Sequence, residues 1–528
     1  MITEGDDSAP VCRGLALQTG PQALFSGGSD GRRVTPVHQL SPAAPGPEPT
    51  LIPTLDRLQP LHFIGVGGIG MSALAGILAE RGHSVSGSDP KDGPVVERLR
   101  RLGVQVFQEQ TAATISSIRD GTTSSPLVVI SSAVPETNPE LMEARRLGLP
   151  VCHRSDVLAA LINAQASIAV AGSHGKTTTS TLIASLLATA EQDPTAVIGG
   201  VVPAFGSNGR NGNGRLLVAE ADESDGSLVK FRPQLGILTN IELDHTDHYP
   251  DLAALVATLQ RFAAGSSRLL ANRDCPILRQ HFDASHWWST ETAEGVAFAA
   301  IPLEERGDGT RLAFYENGER VGELDLPLPG RHNLSNAAAA LAACRLEGVP
   351  FEALARAVAD LRTPGRRFDF RGCWQGRMVV DDYAHHPSEV GATLKMARLM
   401  LDTGRTSLPA VPRRIVAVFQ PHRYSRTAQF LEGFARELAL ADAVLLAPLY
   451  PAGEAPIPGI SSDALGRSVQ AQAPGITVTV TSGLDDLARQ LDEQSGEGDL
   501  VLAMGAGDVN SLWDRLARLS VGSTELVA

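Results

Sequence analysis

The amino-acid sequence predicts an α/β protein made of three successive blocks of alternating strands and helices. Short apolar runs of strand length recur along the chain, and segments with helical periodicity separate them. Several of these runs end in acidic or polar residues, as strands of an open parallel sheet do beside a ligand. The chain has 528 residues, too many for one hydrophobic core at about 150 residues per domain.

Composition divides the chain into four segments. Residues 1–58 are rich in Gly, Pro, Ser and Ala and show little periodicity, so we expect a disordered extension there. The three blocks are predicted at 59–164, 165–363 and 364–528. The Pro-Gly pair that begins at Pro364 predicts a hinge before the last block.

The first block opens with a strand, a glycine turn, a helix and a second strand, in "LHFIGVGGIGMSALAGILAERGHSVSGSD". Gly65, Gly67 and Gly70 have the GxGxxG spacing, and Asp89 follows about 20 residues later, after the second strand. Such a turn binds a diphosphate at the helix start, which predicts a Rossmann-like domain. Two alternatives stay open: a dinucleotide oxidoreductase, and a turn that only lets helix and strand pack closely.

The second block opens with "IAVAGSHGKTTTSTL", which predicts a buried strand, a glycine turn and a helix. The N–H groups at such a helix start are unpaired and bind phosphate. Lys176 is placed to reach the terminal phosphates, and the Thr177 hydroxyl to bind Mg²⁺, in the shorter GxxGKT form of the loop. A simple dehydrogenase does not need this second site, so the two blocks favour two phosphorylated ligands. The predicted ATP-binding residues here are Gly172, Ser173, His174, Gly175, Lys176, Thr177 and Thr178.

Acidic residues and a histidine follow the next two apolar runs. "AEADESD" brings Asp222, Glu223 and Asp225 to a strand end, and Mg²⁺ takes one or two such carboxylates beside phosphate oxygens. We predict Glu223 as this ligand. "NIELDHTDHY" ends the following strand, where His245 is placed to bind a second metal or orient an attacking group. The structural alternatives are a solvated acidic loop and an ordinary buried histidine.

Polar side chains also recur in the last third of the chain. Asn333 and Asn336 stand about one helical turn apart, which places both amides toward a base or ribose, although Asn333 is equally suited to cap the helix. Imidazole and guanidinium groups then collect at predicted strand ends and suit the binding of carboxylate and phosphate. These motifs contain Arg366, Arg367, Asp382, His385, His386, His422, Arg423 and Arg426.

Bulk composition limits the partners. The formal net charge is −14 at pH 7, which disfavours nucleic acid and anionic membranes. The five cysteines lack CxxC spacing, which predicts reduced thiols. We expect a cytoplasmic protein, since neither a secretory signal nor a membrane-length apolar run is visible. The sequence leaves open whether it is a monomer or a homodimer.

In order along the chain, these motifs resemble those of the peptidoglycan Mur ligase family. The resemblance runs from about His62 to the C-terminus and is carried by "HFIGVGGIGMSALA", "GSHGKTTT", "EADESD", "TNIELDH", "PGRHNLSNAAAA", "RRFDF", "DDYAHHPSE" and "FQPHRYSRT". It implies a Rossmann-like N-terminal domain for a UDP-sugar and a central P-loop ATPase-type domain. A Rossmann-like α/β C-terminal domain would then close over the site.

The resemblance also implies roles for individual residues. The UDP-sugar would be bound by Gly65, Gly67, Gly68, Gly70 and Asp89. Catalysis is expected from Lys176, Glu223 and His245, and metal binding from Thr177, Glu223 and His245. Further contacts to ATP are expected from Asn333, Asn336, Arg367 and Asp382. The amino-acid side of the site is expected to contain His385, His422, Arg423 and Arg426.

The reaction implied is ATP-dependent amide formation with Mg²⁺ as cofactor. The carboxylate of UDP-N-acetylmuramate would be phosphorylated, and L-alanine would attack the acyl phosphate, giving ADP and phosphate. One alternative is a recycling ligase that attaches a preformed tripeptide to the same sugar nucleotide. Others are an NAD-dependent oxidoreductase and a non-catalytic protein in which ATP only drives closure.

Overall fold

The computed structural model describes residues 52–122 and 124–521. Most of the predicted disordered extension at 1–58 therefore lies outside the described residues. Of its last residues, Ile52 and Leu55 are partly buried against the first hydrophobic core. Across the two described ranges, no helix is long and apolar enough to cross a membrane.

The first block folds around a parallel sheet. Its strands are β1 (Leu61–Ile64), β2 (Val85–Ser88), β3 (Gln105–Phe107), β4 (Leu127–Ile130) and β5 (Val151–His153). Its helices are α1 (Ile69–Glu80), α2 (Pro94–Arg101), α3 (Ala112–Asp120), α4 (Pro139–Arg146) and α5 (Arg154–Ala164). The strand order is β3-β2-β1-β4-β5, with β1 at the centre. The glycine turn and the start of α5 therefore lie at the same edge of this sheet, where its strands end.

The second block contains the largest sheet. Its strands are β6 (Ser167–Ala171), β7 (Thr195–Val202), β8 (Ser207–Arg210), β9 (Leu217–Glu220), β10 (Leu235–Leu238), β11 (Arg268–Asn272), β12 (His286–Ser289), β13 (Phe298–Arg306), β14 (Gly309–Glu316) and β15 (Glu319–Leu326). Its helices are α6 (Lys176–Thr189), α7 (Leu252–Gly265), α8 (Pro276–His281), α9 (Arg331–Leu346) and α10 (Phe351–Ala357), with 3-10 turns at Ser227–Lys230 and Val358–Asp360. The order is β15-β14-β13-β12-β11-β10-β6-β9-β7-β8, so β10 and β9 flank the phosphate-loop strand β6.

The third block has a mixed sheet. Its strands are β16 (Asp369–Trp374), β17 (Arg377–Asp382), β18 (Arg414–Phe419), β19 (Ala443–Leu446), β20 (Thr477–Val480) and β21 (Asp499–Met504). Its helices are α11 (Pro387–Thr403), α12 (Tyr424–Leu438), α13 (Ser462–Gln472), α14 (Leu484–Gln494) and α15 (Leu512–Val521), with a 3-10 turn at Asp508–Ser511. The order is β16-β17-β21-β18-β19-β20, and only β16 runs antiparallel to its neighbour. The predicted α/β fold class is confirmed.

Strand β6 is buried on both faces. Ile168 and Val170 belong to one hydrophobic cluster, and Ala169 and Ala171 to another. A strand covered on both sides needs a continuous apolar run, which is what the sequence shows here. The second of these clusters also contains Phe63 of β1, so the first two domains share one apolar core.

Candidate active site

The loop between β6 and α6 depends on glycine at both ends. Gly172 and Gly175 have φ of 122° and 81°, which are left-handed values that suit glycine. A Cβ on Gly175 would lie 2.3 Å from the Asn336 side-chain oxygen. A Cβ on Gly172 would lie at the same distance from the Thr239 hydroxyl oxygen. The glycines therefore allow both the turn and the close approach of α9.

The Lys176 side chain is held against this loop by three hydrogen bonds. Its Nζ donates to the carbonyl oxygens of Gly172 (2.8 Å) and Ser173 (3.0 Å) and to the Glu223 carboxylate (2.9 Å). Burial alone would lower the pKa of Lys176, but the nearby carboxylates, led by Glu223, outweigh burial and raise it. The lysine is therefore a permanent cation at the predicted phosphate site.

Thr177 is hydrogen-bonded to a carboxylate that the sequence analysis missed. Its hydroxyl donates to Glu220 Oε1 at 2.9 Å, and Glu220 Oε2 accepts from the Gly199 N–H at 2.7 Å. Glu220 is the last residue of β9, three residues before the predicted ligand Glu223. Its position as the first acidic residue at the end of that strand was the available signal. A cation bound to the Thr177 hydroxyl would meet Glu220 directly.

A second group of possible metal ligands lies beside Lys176. One ligand atom from each of Asp222, Glu223 and His245 lies within 4.8 Å of the others. Burial raises the pKa of Glu223 to about 7 and lowers the pKa of His245. Carboxylate and imidazole together suit a divalent cation, so the predicted set fits a metal chemically. Asp225, in contrast, accepts from the Ser227 N–H and closes a local turn.

Seven of the eleven predicted ATP-binding residues line one cavity of about 280 Å³ between the central and C-terminal domains, whereas Gly172, Ser173, Lys176 and Thr177 are not in its lining. Asn333 does not cap α9, because Gly330 is the N-cap residue and the Asn333 amide donates to the Pro329 carbonyl. Burial raises the pKa of Asp382, on the cavity wall, to about 6. The predicted residues that line the cavity are His174, Gly175, Thr178, Asn333, Asn336, Arg367 and Asp382.

His174 joins the phosphate loop to the C-terminal domain. Its Nε2 lies 3.2 Å from Glu242 Oε2, and its Nδ1 lies 3.2 Å from Glu389 Oε1 on α11. Burial alone would lower the pKa of His174, but hydrogen bonds to these two carboxylates raise it to about 9. Sequence reasoning missed both acids; the signal for Glu389 was its place as the third residue of a helix whose cap is His386.

Three of the four residues predicted to contact the amino acid also meet the central domain, whereas His422 contacts Arg426 and Tyr450 in the C-terminal domain. Arg426 donates through Nε and Nη2 to Asp244 Oδ1 at 3.0 and 2.7 Å, and both side chains are buried. His385 Nε2 lies 4.0 Å from Asp244 Oδ2. Burial lowers the pKa of His385 and of His422 to about 4, so both imidazoles are neutral. The more exposed Arg423 bonds Asp247 at 2.8 Å.

The predicted UDP-sugar residues lie in the N-terminal domain, in and beside the turn between β1 and α1. Gly65 has φ of 78°, and a Cβ on Gly67 would lie 2.7 Å from Asp89 Oδ2. Asp89 accepts a hydrogen bond from the Gly67 N–H at 2.9 Å, so this acid holds the turn itself.

Three family models match successive parts of the chain. They are described as Mur ligase family, catalytic domain (residues 60–166), Mur ligase middle domain (170–344), and Mur ligase, glutamate ligase domain (366–507). The chain belongs to the Mur ligase family. The resemblance drawn from the sequence motifs is thereby confirmed.

Individual Mur ligases match over nearly the whole chain. A UDP-N-acetylmuramate--L-alanine ligase of Prochlorococcus marinus strain MIT 9303 is 62% identical, over 90% of this chain and 97% of its own. One of Synechococcus sp. strain CC9605 is also 62% identical, over 88% of this chain and 99% of its own. The crystal structure of a UDP-N-acetylmuramate-alanine ligase from Thermotoga maritima is 26% identical, with a TM-score of 0.72 over 88% of this chain and 99% of that one.

Proposed function

We propose that this Mur ligase joins L-alanine to UDP-N-acetylmuramate at the expense of ATP, giving ADP, phosphate and UDP-N-acetylmuramoyl-L-alanine. The observation that carries the proposal is the 62% identity, across nine tenths of the chain, to a ligase named for these two substrates. The enzyme is thus an ATP-dependent ligase of peptidoglycan precursor synthesis. We place it in the cytoplasm, where ATP and nucleotide sugars are available.

The first chemical step activates a carboxylate that is too poor an electrophile for an amine. The sugar acid attacks the γ-phosphate of ATP, the bond to the bridging oxygen breaks, and ADP leaves. Lys176 stabilises negative charge on the transferring group, because its ammonium is held against the loop at the start of α6 by the carbonyl oxygens of Gly172 and Ser173.

Mg²⁺ would be held between the Thr177 hydroxyl and the neighbouring acids. Glu220 is hydrogen-bonded to Thr177, and Glu223 is hydrogen-bonded to Lys176 and lies 3.6 Å from His245 Nε2. When bound, the cation neutralises charge on the triphosphate. We propose Glu220 as a ligand in addition to the predicted Thr177, Glu223 and His245.

The second step is attack of the alanine amine on the acyl carbon, with loss of phosphate. We assign His385, His422, Arg423 and Arg426 to this side of the site. Arginine pairs with carboxylate through its planar fork, which suits capture of an amino acid. The acyl phosphate hydrolyses readily, so the contacts of α11 and α12 with the central domain serve to exclude water.

The proposal is tested by phosphate release from purified protein. Release should require ATP, Mg²⁺, UDP-N-acetylmuramate and L-alanine together, and Lys176→Ala should abolish it while circular dichroism remains native. Phosphate release that does not depend on the sugar nucleotide would contradict the proposal. Faster turnover with the tripeptide than with L-alanine would identify the recycling ligase instead.

The domain limits are part of the same proposal. The described residues of 59–164 would bind the UDP-sugar, 165–363 would bind ATP, and 364–528 would close on both. Limited proteolysis near Pro364 should release the last segment intact, and cleavage elsewhere first would place the hinge differently.

A further inference from the structure

The backbone N–H groups of the glycine turn in the N-terminal domain already have hydrogen-bond acceptors within the protein. Ser88 O accepts from the N–H groups of Gly65 (2.8 Å) and Val66 (3.0 Å). The Gly67 N–H donates to Asp89 Oδ2, and the Gly68 N–H donates back into the turn at 3.2 Å. These four groups are therefore not available to a diphosphate.

The free donors lie one turn farther along, at the start of α1. Within the described residues, the N–H groups of Ile69, Gly70 and Met71 have no acceptor, and the first to find one is Ser72, which donates to Gly68 O at 2.8 Å. The positive end of the helix dipole adds to their attraction for an anion. The diphosphate of a bound UDP-sugar should therefore contact this first turn.

The Arg154 side chain lies beside the first turn of α1, although Arg154 itself follows another strand, β5. It is the first residue of α5, and its Nη1 lies 3.0 Å from the position that a Cβ on Gly70 would occupy. Among the described residues its guanidinium makes no hydrogen bond, and its ion-pair partner, Asp222 of the central domain, is 3.9 Å away. A cation beside the positive end of a helix is unfavourable unless an anion lies between them.

We propose that Arg154 binds the diphosphate of the UDP-sugar and holds it against the first turn of α1. This inference rests on the proposed function. The guanidinium fork matches two phosphate oxygens, and it supplies the positive charge that the backbone donors lack. Because Asp222 lies beside Glu223 and His245, a diphosphate held here directs the sugar acid toward the ATP site.

The test compares ligand affinities by calorimetry without ATP. Arg154→Gln should weaken UDP-N-acetylmuramate and UDP by about tenfold to a hundredfold, as expected for hydrogen bonds to a charged group. Arg154→Lys should fall between this variant and the wild type, since it keeps the charge but loses the fork. Uridine and AMP-PNP should bind as to the wild type, and AMP-PNP binding also shows that the variant is folded. Arg119→Gln is the matched control, because Arg119 is exposed in the same domain and, within the part of the chain that the structure describes, its guanidinium is hydrogen-bonded to Asp120 alone.

Each possible result either supports or overturns the proposed role of Arg154. Unchanged UDP affinity in Arg154→Gln overturns the inference, whether or not the sugar nucleotide is affected. If UDP-N-acetylmuramate alone weakens, Arg154 contacts the sugar acid instead of the diphosphate. If the wild-type protein itself neither binds UDP-N-acetylmuramate nor turns it over, the proposed function fails and the inference falls with it.

Discussion

At the scale of single residues, two neighbouring acids contact two neighbouring residues of the phosphate loop. Glu220 accepts from the Thr177 hydroxyl, whereas Glu223 pairs with Lys176 Nζ. The first arrangement places a carboxylate where a metal ion on the Thr177 hydroxyl would bind. The second positions the Lys176 ammonium, which we propose meets the phosphate. Substitution of Glu220 and substitution of Glu223 should therefore affect enzyme activity in different ways.

Glu220→Gln should raise the Mg²⁺ concentration needed for half-maximal activity by about tenfold or more. Glu223→Gln should change that requirement less and reduce turnover at saturating Mg²⁺, since Lys176 loses its charged partner. Magnesium titrations of phosphate release on both variants provide the measurement. Both glutamates are proposed ligands, so a larger shift in Glu223→Gln than in Glu220→Gln would show that Glu223 is the principal one.

The pairing of His174 with two carboxylates predicts a pH dependence of stability. The pKa of His174 is raised from 6.5 to about 9 in the folded protein. Because folding raises this pKa, His174 stabilises the folded state fully at pH values below its pKa in the unfolded chain. This contribution is lost as the pH rises through 9. The difference in free energy of unfolding between wild type and His174→Asn should therefore be largest near pH 6 and shrink toward pH 9.

Urea unfolding at several pH values measures this difference. The hydrogen bond from His174 holds the pKa of Glu242 at about 2, so this carboxylate stays ionised throughout the range. Burial, and then the charge of His174, lower the pKa of His386 to about 4, so this imidazole is neutral in the wild type from pH 6 to 9. A difference that stays constant from pH 6 to 9 would show that folding does not raise the pKa of His174.

At the scale of elements, the motifs predicted local structure well and long-range partners poorly. The order of strand, turn and helix around Lys176 is fixed by neighbouring residues, and the structure reproduces it. Glu389 lies 215 residues from His174, so nothing local relates the two. The capping alternative for Asn333 could be rejected only once the start of α9 was known. Local chemistry is thus readable from sequence, whereas pairing across domains requires the fold.

The hairpin of β13 and β14 provides a test of one such long-range contact. At its tip, a Cβ on Gly307 would lie 2.0 Å from the Arg405 carbonyl oxygen and 2.5 Å from the Met400 Cα, both in the C-terminal domain. Gly307→Ala should destabilise the protein by about 1–3 kcal/mol, because neither backbone can move away freely.

Gly475→Ala is the matched control for the hairpin, since a Cβ there meets no atom within 4 Å. It should change stability by less than about 0.5 kcal/mol. Urea unfolding of both variants makes the comparison. Equal stabilities would show that the hairpin tip and the end of α11 are not held together in solution.

At the scale of the whole described chain, the three domains differ in the kind of contact that holds each to its neighbour. The first two share an apolar core, whereas the C-terminal domain has cores of its own. Residues 361–368, which contain the predicted hinge, form neither helix nor strand. Polar pairs such as Arg426 with Asp244 connect the last domain to the active site. Closure of that domain should therefore depend on individual polar contacts.

Asp244→Asn tests this dependence. Arg426 and Asp244 are both buried, so removing one charge leaves the other without its partner and should disfavour the closed arrangement by about 3–5 kcal/mol. The pair between Arg423 and Asp247 is more exposed, and Asp247→Asn should cost only about 0–1 kcal/mol. In small-angle X-ray scattering with AMP-PNP bound, Asp244→Asn should show a larger radius of gyration than wild type, and Asp247→Asn should not. An unchanged radius in Asp244→Asn would mean that the nucleotide and the remaining contacts suffice to hold the C-terminal domain closed.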